Sequence, residues 1–339
     1  MRPLSGGPKT RVLTYGIFTS AKPAHGRILV IRLGAMGDIL HALPAVATLK
    51  QNYPGWRLTW AVEPRWAPLL EGNPFVDRLV FIRRDSLAAF RASWRDLRAE
   101  RYDFAVDFQG LIKSALTATF ARSQRIFGFH QKQIRERAAA LFYSDKTLSA
   151  AAHVVDRNLD LAASAGATAS IRKFLLPPGA PEGELPDGDF VLASPFAGWR
   201  SKQWPMEHYR ALADRLRREC GIPLVLNGAP GSGVEHISGL PGLIHATRRA
   251  AAVIGVDSGP IHIAAALEKP GVAIFGPTDP ARNGPYGRSI RVLRSPQAET
   301  TYKRGETIDD SMRAISPDEV FRALQSVLCS SSPSPTPTR

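Results

Sequence analysis

The stretch Arg27-Ile-Leu-Val-Ile-Arg-Leu-Gly-Ala-Met-Gly-Asp38 decides the fold, because a short apolar run leads directly into a glycine-containing turn. The β-branched run over 27–32 predicts a buried strand. The apolar segment over 39–51 predicts a helix that ends before Pro54-Gly55. A strand that passes through a glycine turn into a helix is typical of the strand–helix–strand unit, in which the two strands run parallel.

The same alternation of strands and helices continues along the chain. Short apolar runs predict further strands over 57–62, 76–82, 104–107, 190–194, 223–227, 252–256 and 272–275. Longer amphipathic or apolar runs predict helices over 86–101, 206–220, 261–267 and 317–328. Because parallel strands need crossover helices, this order predicts an α/β fold built on parallel sheets.

Residues 177–188 hold four prolines and three glycines and divide the pattern in two. We therefore expect two α/β domains, with a cleft between them. The expected parts are a disordered basic leader over 1–26, a first domain over 27–176, a linker over 177–188, a second domain over 189–316, a final helix over 317–329 and a disordered tail over 330–339.

Composition excludes several classes of protein. With 44% hydrophobic and 22% charged residues, the 339-residue chain is too apolar to be disordered. Its two cysteines, Cys220 and Cys329, cannot form a disulfide framework, and no CxxC pair is present to bind zinc. No apolar run is long enough to predict a transmembrane helix. The net charge of +14 points to an anionic partner: nucleic acid, an acidic membrane surface or a phosphorylated substrate.

Three loops follow predicted strands, at the edge where ligands bind in open α/β sheets. In the first, Gly34 and Gly37 allow a tight turn and close approach to a ligand, and Asp38 begins the helix. Asp38 is either a helix N-cap or a catalytic carboxylate.

The second loop contains Asp257, Ser258 and Gly259, followed by a helix that carries His262. Free N–H groups at the start of this helix predict a phosphate or sugar-hydroxyl site. The alternative is a capped turn with His262 packed in the helix.

The third loop contains Ala197 and Gly198 and then Lys202. Small residues followed by a cation suit a diphosphate, whereas the alternative is a solvated basic loop. The sequence contains two further basic clusters, Arg83-Arg84 and the segment 132–137 with Arg135. Such clusters are ordinary charged surface unless an anionic ligand binds there.

Taken together, these loops resemble glycosyltransferase family nine, the ADP-heptose:lipopolysaccharide heptosyltransferases, over about residues 27–328. The resemblance is greatest to the branch that adds the first heptose to Kdo. The segments that carry it are Ile31-Arg-Leu-Gly-Ala-Met-Gly-Asp-Ile-Leu-His-Ala-Leu-Pro44, Asp107-Phe-Gln-Gly-Leu-Ile-Lys-Ser-Ala115, Lys202-Gln-Trp-Pro205, Gly255-Val-Asp-Ser-Gly-Pro-Ile-His262 and Gly276-Pro-Thr-Asp-Pro280.

The resemblance implies a GT-B fold: two Rossmann-like domains face a cleft, and a C-terminal helix crosses back to the first domain. It implies inverting transfer with neither a metal nor a cofactor, and Asp38 as the general base. The donor, ADP-heptose, is expected to contact Ala197, Gly198, Lys202, Asp257, Ser258, Gly259 and His262. A Kdo–lipid A type acceptor is expected to contact Arg83, Arg84 and Arg135.

One departure from the family concerns the stretch between Gly228 and Asp257, which is short. We expect a family helix between these positions to be missing, which would alter how adenine and ribose are bound. The remaining ribose candidates are Ser232 and Glu235.

Three rival hypotheses follow. The chain could be a family-nine enzyme for another sugar or acceptor, a sugar-nucleotide-binding protein with impaired turnover, or a nucleic-acid-binding protein. The last rests on charge alone, and the sequence has no nucleic-acid-binding motif. We therefore expect a cytoplasmic enzyme that associates peripherally with the inner membrane and binds no nucleic acid.

Overall fold

The computed structural model describes residues 24–301 and 303–331, the last three without their side chains. Most of the predicted leader and tail therefore lies outside the described residues. Ser330 and Ser331, predicted to belong to a disordered tail, instead extend the final helix.

Two six-stranded sheets form the molecule, and every strand pairing in both is parallel. The first sheet has the order β3-β2-β1-β4-β5-β6 and the second has the order β12-β11-β10-β7-β8-β9. The first sheet consists of β1 (Arg27–Ile31), β2 (Arg57–Val62), β3 (Arg78–Phe81), β4 (Tyr102–Asp107), β5 (Ser123–Phe129) and β6 (Asp145–Thr147). The second consists of β7 (Val191–Ser194), β8 (Leu224–Gly228), β9 (His236–Ile237), β10 (Ala252–Val256), β11 (Gly271–Phe275) and β12 (Ile290–Arg294).

Helices connect the strands and cover both faces of each sheet. They are α1 (Met36–Asn52), α2 (Leu87–Leu97), α3 (Ile112–Phe120), α4 (Val154–Ser164), α5 (Met206–Cys220), α6 (Leu240–Arg249), α7 (Gly259–Ala266), α8 (Pro280–Asn283), α9 (Asp310–Arg313) and α10 (Pro317–Ser331). Short 3₁₀ helices occur at Pro64–Leu69, Arg137–Phe142 and Arg200–Lys202. Among the described residues, none of these helices combines the length and apolar character needed to cross a bilayer.

Three apolar clusters hold the layers together. The largest joins the facing sides of the two domains, because α1 packs on both α4 and α7. A second lies under α5 and α10 in the second domain. The third lies under α2 and α3, on the face of the first sheet that points away from the second domain. The predicted α/β class with two parallel-sheet domains is therefore confirmed.

The final helix does not make the predicted return to the first domain. In α10, Val320, Phe321 and Leu324 are fully buried in the cluster beneath α5, and the helix contacts β10, β11 and β12. Burial of these three side chains against the second sheet fixes the helix there. The prediction of a helix crossing back is wrong.

The short stretch between Gly228 and Asp257 does contain a helix, α6, so the expectation of a missing helix there is wrong. Pro241 in the first turn starts α6, and a buried face that includes Leu243 and Ile244 holds it to the core. The connection between β8 and β9, residues 229–235, nevertheless carries no helix. Parallel neighbours usually need a crossover of a dozen or more residues, so this connection is unusually short.

Candidate functional site

The N-termini of α1 and α7 meet where the two domains face each other. A Cβ atom added to Gly37 would lie 2.9 Å from Cδ2 of His262, and one added to Gly259 would overlap Sδ of Met36. Only glycine at both positions permits this approach. The loops that carry Asp38 and Asp257 therefore lie against each other.

Asp38 occupies the third position of α1, and Ala35, not Asp38, is the N-cap residue. One carboxylate oxygen of Asp38, Oδ2, accepts a hydrogen bond from the N–H of Ala35 at 3.3 Å. The same oxygen pairs with the Arg32 guanidinium at 2.5 Å. The other oxygen has no partner among the residues that the structure describes, and the side chain is 41% exposed. One oxygen is thus fixed while the other is available to a ligand.

Arg32 connects the Asp38 loop to the loop that follows β4. Its guanidinium donates to the Phe108 carbonyl at 2.5 Å, and the N–H of Leu33 donates to Oε1 of Gln109 at 2.7 Å. Arg32 is mostly buried, so its position is defined by these contacts. The position of Asp38 consequently depends on a loop that is far from it in sequence.

A buried carboxylate, Asp107, holds that second loop. It accepts hydrogen bonds from the Tyr143 hydroxyl at 2.7 Å, the Ser114 hydroxyl at 2.8 Å and the N–H of Gln109 at 2.8 Å. Burial raises the pKa of Asp107, while these hydrogen bonds oppose the shift. Burial beside Asp107 also raises the pKa of Tyr143 far above its ordinary value. Asp107 and its partners are structural supports for the Asp38 loop.

On the other side of the cleft, Asp257 is held by two donors. The Lys202 ammonium lies 2.6 Å from its Oδ2, and the Thr278 hydroxyl donates to the same oxygen at 2.7 Å. His262 Nε2 lies 3.9 Å from Oδ1, beyond hydrogen-bond distance. Burial raises the pKa of Asp257, but His262, Lys202 and Thr278 lower it by more, so it lies well below its ordinary value. Asp257 is therefore an anion at neutral pH.

Lys202 is not a solvated loop residue, because its side chain is only 16% exposed and is paired with Asp257. Its ammonium also lies 4.3 Å from the centre of the Trp199 ring, within the range of a cation–π contact. The solvated-loop alternative is therefore wrong for this residue.

The other predicted donor residues lie on the same two loops. Gly198 is exposed with open space beside its Cα, and Ala197 is half-buried. Ser258 is the N-cap of α7, yet its side chain makes no capping hydrogen bond, and its hydroxyl is buried without a partner. The hydrogen-bonding capacity of this hydroxyl, at a helix N-terminus, is therefore unused by the described residues.

Three histidines cluster between the domains beside these loops. The ring of His41 lies 4.6 Å from that of His262 and 5.5 Å from that of His153, measured between centroids. His153 Nε2 lies 3.0 Å from the carbonyl of Gly284 in the second domain. Burial, followed by the charges of the two other histidines, lowers the pKa of His41 well below its ordinary value. His41 is therefore neutral at neutral pH, and the cluster forms part of the domain contact.

Arg83 and Arg84 line a cavity of about 490 Å³ at the carboxyl edge of the first sheet. In this cavity, the Glu63 carboxylate pairs with both Arg84 and Arg65, at 2.9 Å each. Arg83 makes no ion pair with any residue in the described ranges. The cavity thus offers one unpaired guanidinium and two that share a single carboxylate.

Arg135 is exposed on the loop before the 3₁₀ helix Arg137–Phe142 and does not line this cavity. The next residue, Glu136, accepts a hydrogen bond from the N–H of Ile112 at the start of α3. Nearby, burial and then the charge of Arg84 lower the pKa of Lys113. Within residues 24–301 and 303–331, no group of His, Cys, Asp and Glu side chains is arranged to hold a metal ion.

Sequence reasoning did not single out Arg65, Lys113 or Asp107 as part of a site. Lys113 and Asp107 do lie within the segment Asp107–Ala115, which resembles the family but by itself indicates no role for either residue. Arg65 lies in a 3₁₀ helix that no periodicity indicates. The position of that segment after a strand was the one signal that could have identified Asp107 and Lys113.

Two parallel-sheet domains that face each other are the arrangement of the GT-B glycosyltransferases. In this chain an available carboxylate lies on one side of the contact and a Lys–Asp pair on the other. The model of glycosyltransferase family 9 (heptosyltransferase) matches residues 90–311. The lipopolysaccharide heptosyltransferase 1 of Escherichia coli K12 is 32% identical over 326 residues, covering 85% of this chain and all of that protein. The chain belongs to glycosyltransferase family 9.

Solved structures agree with this assignment. The E. coli heptosyltransferase WaaC with ADP superposes with a TM-score of 0.73 at 27% identity, covering 89% of this chain and 99% of that one. The same enzyme with ADP-2-deoxy-2-fluoro heptose gives a TM-score of 0.70 at 27% identity, covering 88% and 99%. The family and the GT-B fold implied by the sequence are thereby confirmed.

Proposed function

We propose that the protein transfers a heptose from ADP-heptose to the Kdo region of a Kdo–lipid A type acceptor, with inversion at the anomeric carbon. The observation that carries the proposal is the approach of Gly37 to His262, which sets the Asp38 loop against the Asp257 loop. Support comes from the 32% identical E. coli lipopolysaccharide heptosyltransferase 1 and from the WaaC structures with ADP and an ADP-heptose analogue.

In the proposed chemical step, the acceptor hydroxyl attacks the anomeric carbon as the bond from that carbon to the ADP oxygen breaks. Oδ1 of Asp38, which has no partner among the described residues, takes the proton of the hydroxyl. Arg32 holds Oδ2 and so fixes the orientation of the carboxylate. Attack from the side opposite the departing ADP inverts the configuration.

The leaving diphosphate needs positive charge. Lys202 and the free N–H groups at the N-terminus of α7 would supply it, together with the hydroxyl of Ser258. Backbone N–H groups of Ala197 and Gly198 would add further donors. Because these groups come from the chain itself, the proposal is that transfer needs no metal ion. Asp257, ionised and held by Lys202, would accept hydrogen bonds from heptose hydroxyls.

The acceptor's carboxylate and phosphate groups would bind the cavity that contains Arg83 and Arg84, because guanidinium forks match both geometries. Arg135 would contact a more distant part of the same large acceptor. A lipid-borne acceptor places the enzyme at the cytoplasmic surface of the inner membrane, as a peripheral protein.

One observation favours a second candidate function. The helix-free β8–β9 connection, residues 229–235, lies where the donor's adenosine is expected, and the Ser232 hydroxyl there is buried without a partner. A family-nine enzyme for a different nucleotide sugar would explain such a change.

Calorimetric titration of ADP, ADP-heptose and UDP-sugars, followed by a turnover assay on Kdo–lipid A, separates the candidates. The proposal predicts that ADP and ADP-heptose bind, that UDP-sugars do not, and that transfer persists in excess EDTA. Tighter binding of a UDP-sugar favours the second candidate. ADP-heptose binding without turnover makes the protein a sugar-nucleotide-binding protein instead.

A further inference from the structure

The outer layer of the first domain, defined here as α2, α3 and the 3₁₀ helix Arg137–Phe142, covers the face of the first sheet that points away from the second domain. Its buried side chains form their own apolar cluster with that face. The opposite side of the layer has no protein element over it among the described residues.

Exposed apolar side chains concentrate on this layer. Five of the eight large hydrophobic residues that are exposed in the described structure lie on it: Leu87, Phe90, Ile112, Phe120 and Leu141. Leu87 is 65% exposed and Leu141 is 82% exposed. Single exposed apolar residues are ordinary, but a concentration on one face marks an interaction surface.

Helix α2 is weakly attached to the domain on which it lies. Only Ser93 and Leu97 of its eleven residues are buried. The rings of Phe90 and Trp94 are 5.4 Å apart, and those of Trp94 and Phe120 are 5.1 Å apart, so they join α2 to the end of α3 as a continuous aromatic row. Trp94 is half-buried against the outer apolar cluster, while Phe90 and Phe120 at the two ends of the row are exposed.

The same helix carries unpaired positive charge. Arg91, Arg95 and Arg98 are exposed and form no ion pair with any residue that the structure describes. The acidic Asp96 between them is paired with Arg78. The outer layer therefore combines exposed apolar side chains with arginines of uncompensated charge, the composition of helices that lie in a membrane interface.

We propose that the outer layer docks on an anionic lipid bilayer, with Leu87, Phe120 and Leu141 inserted at the interface. Arg91, Arg95 and Arg98 contact lipid phosphates. This rests on the proposed function in one respect, namely that a lipid-borne acceptor requires the enzyme to work at a membrane.

The location of the surface fits that requirement. Leu87 begins α2 two residues after Asp85, which lines the same cavity as Arg83 and Arg84. Docking through α2 therefore brings the cavity proposed for the acceptor to the membrane surface. The donor loops of the second domain remain on the far side of the first sheet, because α1 and α4 separate them from the outer layer.

A second copy of this chain is a poorer occupant. A twofold dimer places the same patch against itself, so the arginines of one α2 would meet those of the other. Like charges in contact oppose association, whereas an anionic bilayer neutralises them.

The test is sedimentation of the full-length protein with phosphatidylcholine vesicles that contain or lack phosphatidylglycerol, without any acceptor or donor. The wild-type protein should bind the anionic vesicles and should bind less as salt rises. The variant Leu87→Ser/Phe120→Ser/Leu141→Ser should lose at least about tenfold in partitioning. In the variant Arg91→Gln/Arg95→Gln/Arg98→Gln, partitioning onto anionic vesicles should fall by roughly fivefold for each arginine removed.

Matched controls lie in the second domain. Arg210→Gln/Arg217→Gln/Arg218→Gln removes three exposed arginines from α5, and Val292→Ser removes an exposed apolar side chain from β12. Both controls should partition like the wild-type protein. All variants should keep wild-type ADP affinity, which shows that they are folded.

Absence of wild-type binding to anionic vesicles would overturn the proposal, as would equal losses in the controls. A wild-type dimer that the outer-layer substitutions dissociate would identify a second copy as the occupant. Because the vesicles contain no acceptor, failure to transfer heptose would leave a positive docking result intact, and the two proposals are tested separately.

Discussion

The ammonium group of Lys202 lies 2.6 Å from Oδ2 of Asp257, and both side chains are almost buried. The pair gives the donor loops a fixed cation beside a fixed anion. A diphosphate would share the cation, while sugar hydroxyls would donate to the anion. Replacing either member alone leaves the other charge buried without its partner, which is costly for folding.

We expect Lys202→Ala to weaken ADP binding by roughly 1.5–3 kcal/mol, because one charge-assisted contact is lost. Calorimetry at low salt measures the change. The double variant Lys202→Ala/Asp257→Asn controls for the isolated carboxylate: it should recover thermal stability but not ADP affinity. Unchanged ADP affinity in Lys202→Ala would show that Lys202 does not contact the diphosphate.

Stability should depend on the protonation of His41. The lowered pKa keeps His41 neutral in the folded protein, whereas the unfolded chain binds a proton below about pH 6.5. The stabilisation that comes from keeping His41 neutral is therefore complete above that pH and is lost as the pH falls. When the pH falls from about 7.5 to about 5.5, the free energy of unfolding of His41→Gln should decrease by about 1 kcal/mol less than that of the wild-type protein.

Urea unfolding at the two pH values measures this difference. Equal pH dependence in the wild-type protein and His41→Gln would contradict the account of the histidine cluster.

The contact between α1 and α7 should be sensitive to a single methyl group. Gly259→Ala places a Cβ against the side chain of Met36, which must move and so separates the two loops. We expect kcat/KM to fall by at least about tenfold, because misplacement of reacting groups by about 1 Å is costly. The double variant Gly259→Ala/Met36→Ala frees space and should recover part of the loss. Gly188→Ala, in the linker, where an added Cβ meets nothing within 4 Å, is the matched control for adding a methyl group.

Much of the fold could be predicted, because the strands are continuous apolar runs bounded by turns. The strands 57–62 and 252–256 and the helix 206–220 coincide with the observed β2, β10 and α5. The sequence does not predict the elements from α3 to β6, because α3 has only nine residues, β5 begins with three polar residues and β6 contains no apolar residue.

The long-range packing of the elements could not be predicted from the sequence. The apolar face of α10 is evident from its spacing, but nothing in that spacing indicates which domain it covers. Similarly, Asp257 follows a strand that the sequence reveals, whereas its partner Lys202 lies 55 residues away. The three clustered histidines belong to three separate helices, and only the folded chain brings them together.

The arginines of the first-domain cavity should act on the acceptor alone. Arg83→Ala/Arg84→Ala should raise the acceptor KM or lower kcat, while ADP affinity and folding remain as in the wild-type protein. Steady-state kinetics with Kdo–lipid A and calorimetry with ADP measure the two effects. If acceptor kinetics stay unaltered, these arginines are ordinary surface charge.

The central claim is that Asp38 accepts the proton of the attacking hydroxyl, and kcat of Asp38→Asn on Kdo–lipid A tests it most directly. The amide keeps the shape and most of the contacts of the side chain but cannot accept the proton. The account predicts that kcat falls by at least about 10²-fold while ADP affinity changes little. A near-normal kcat in this variant would contradict it.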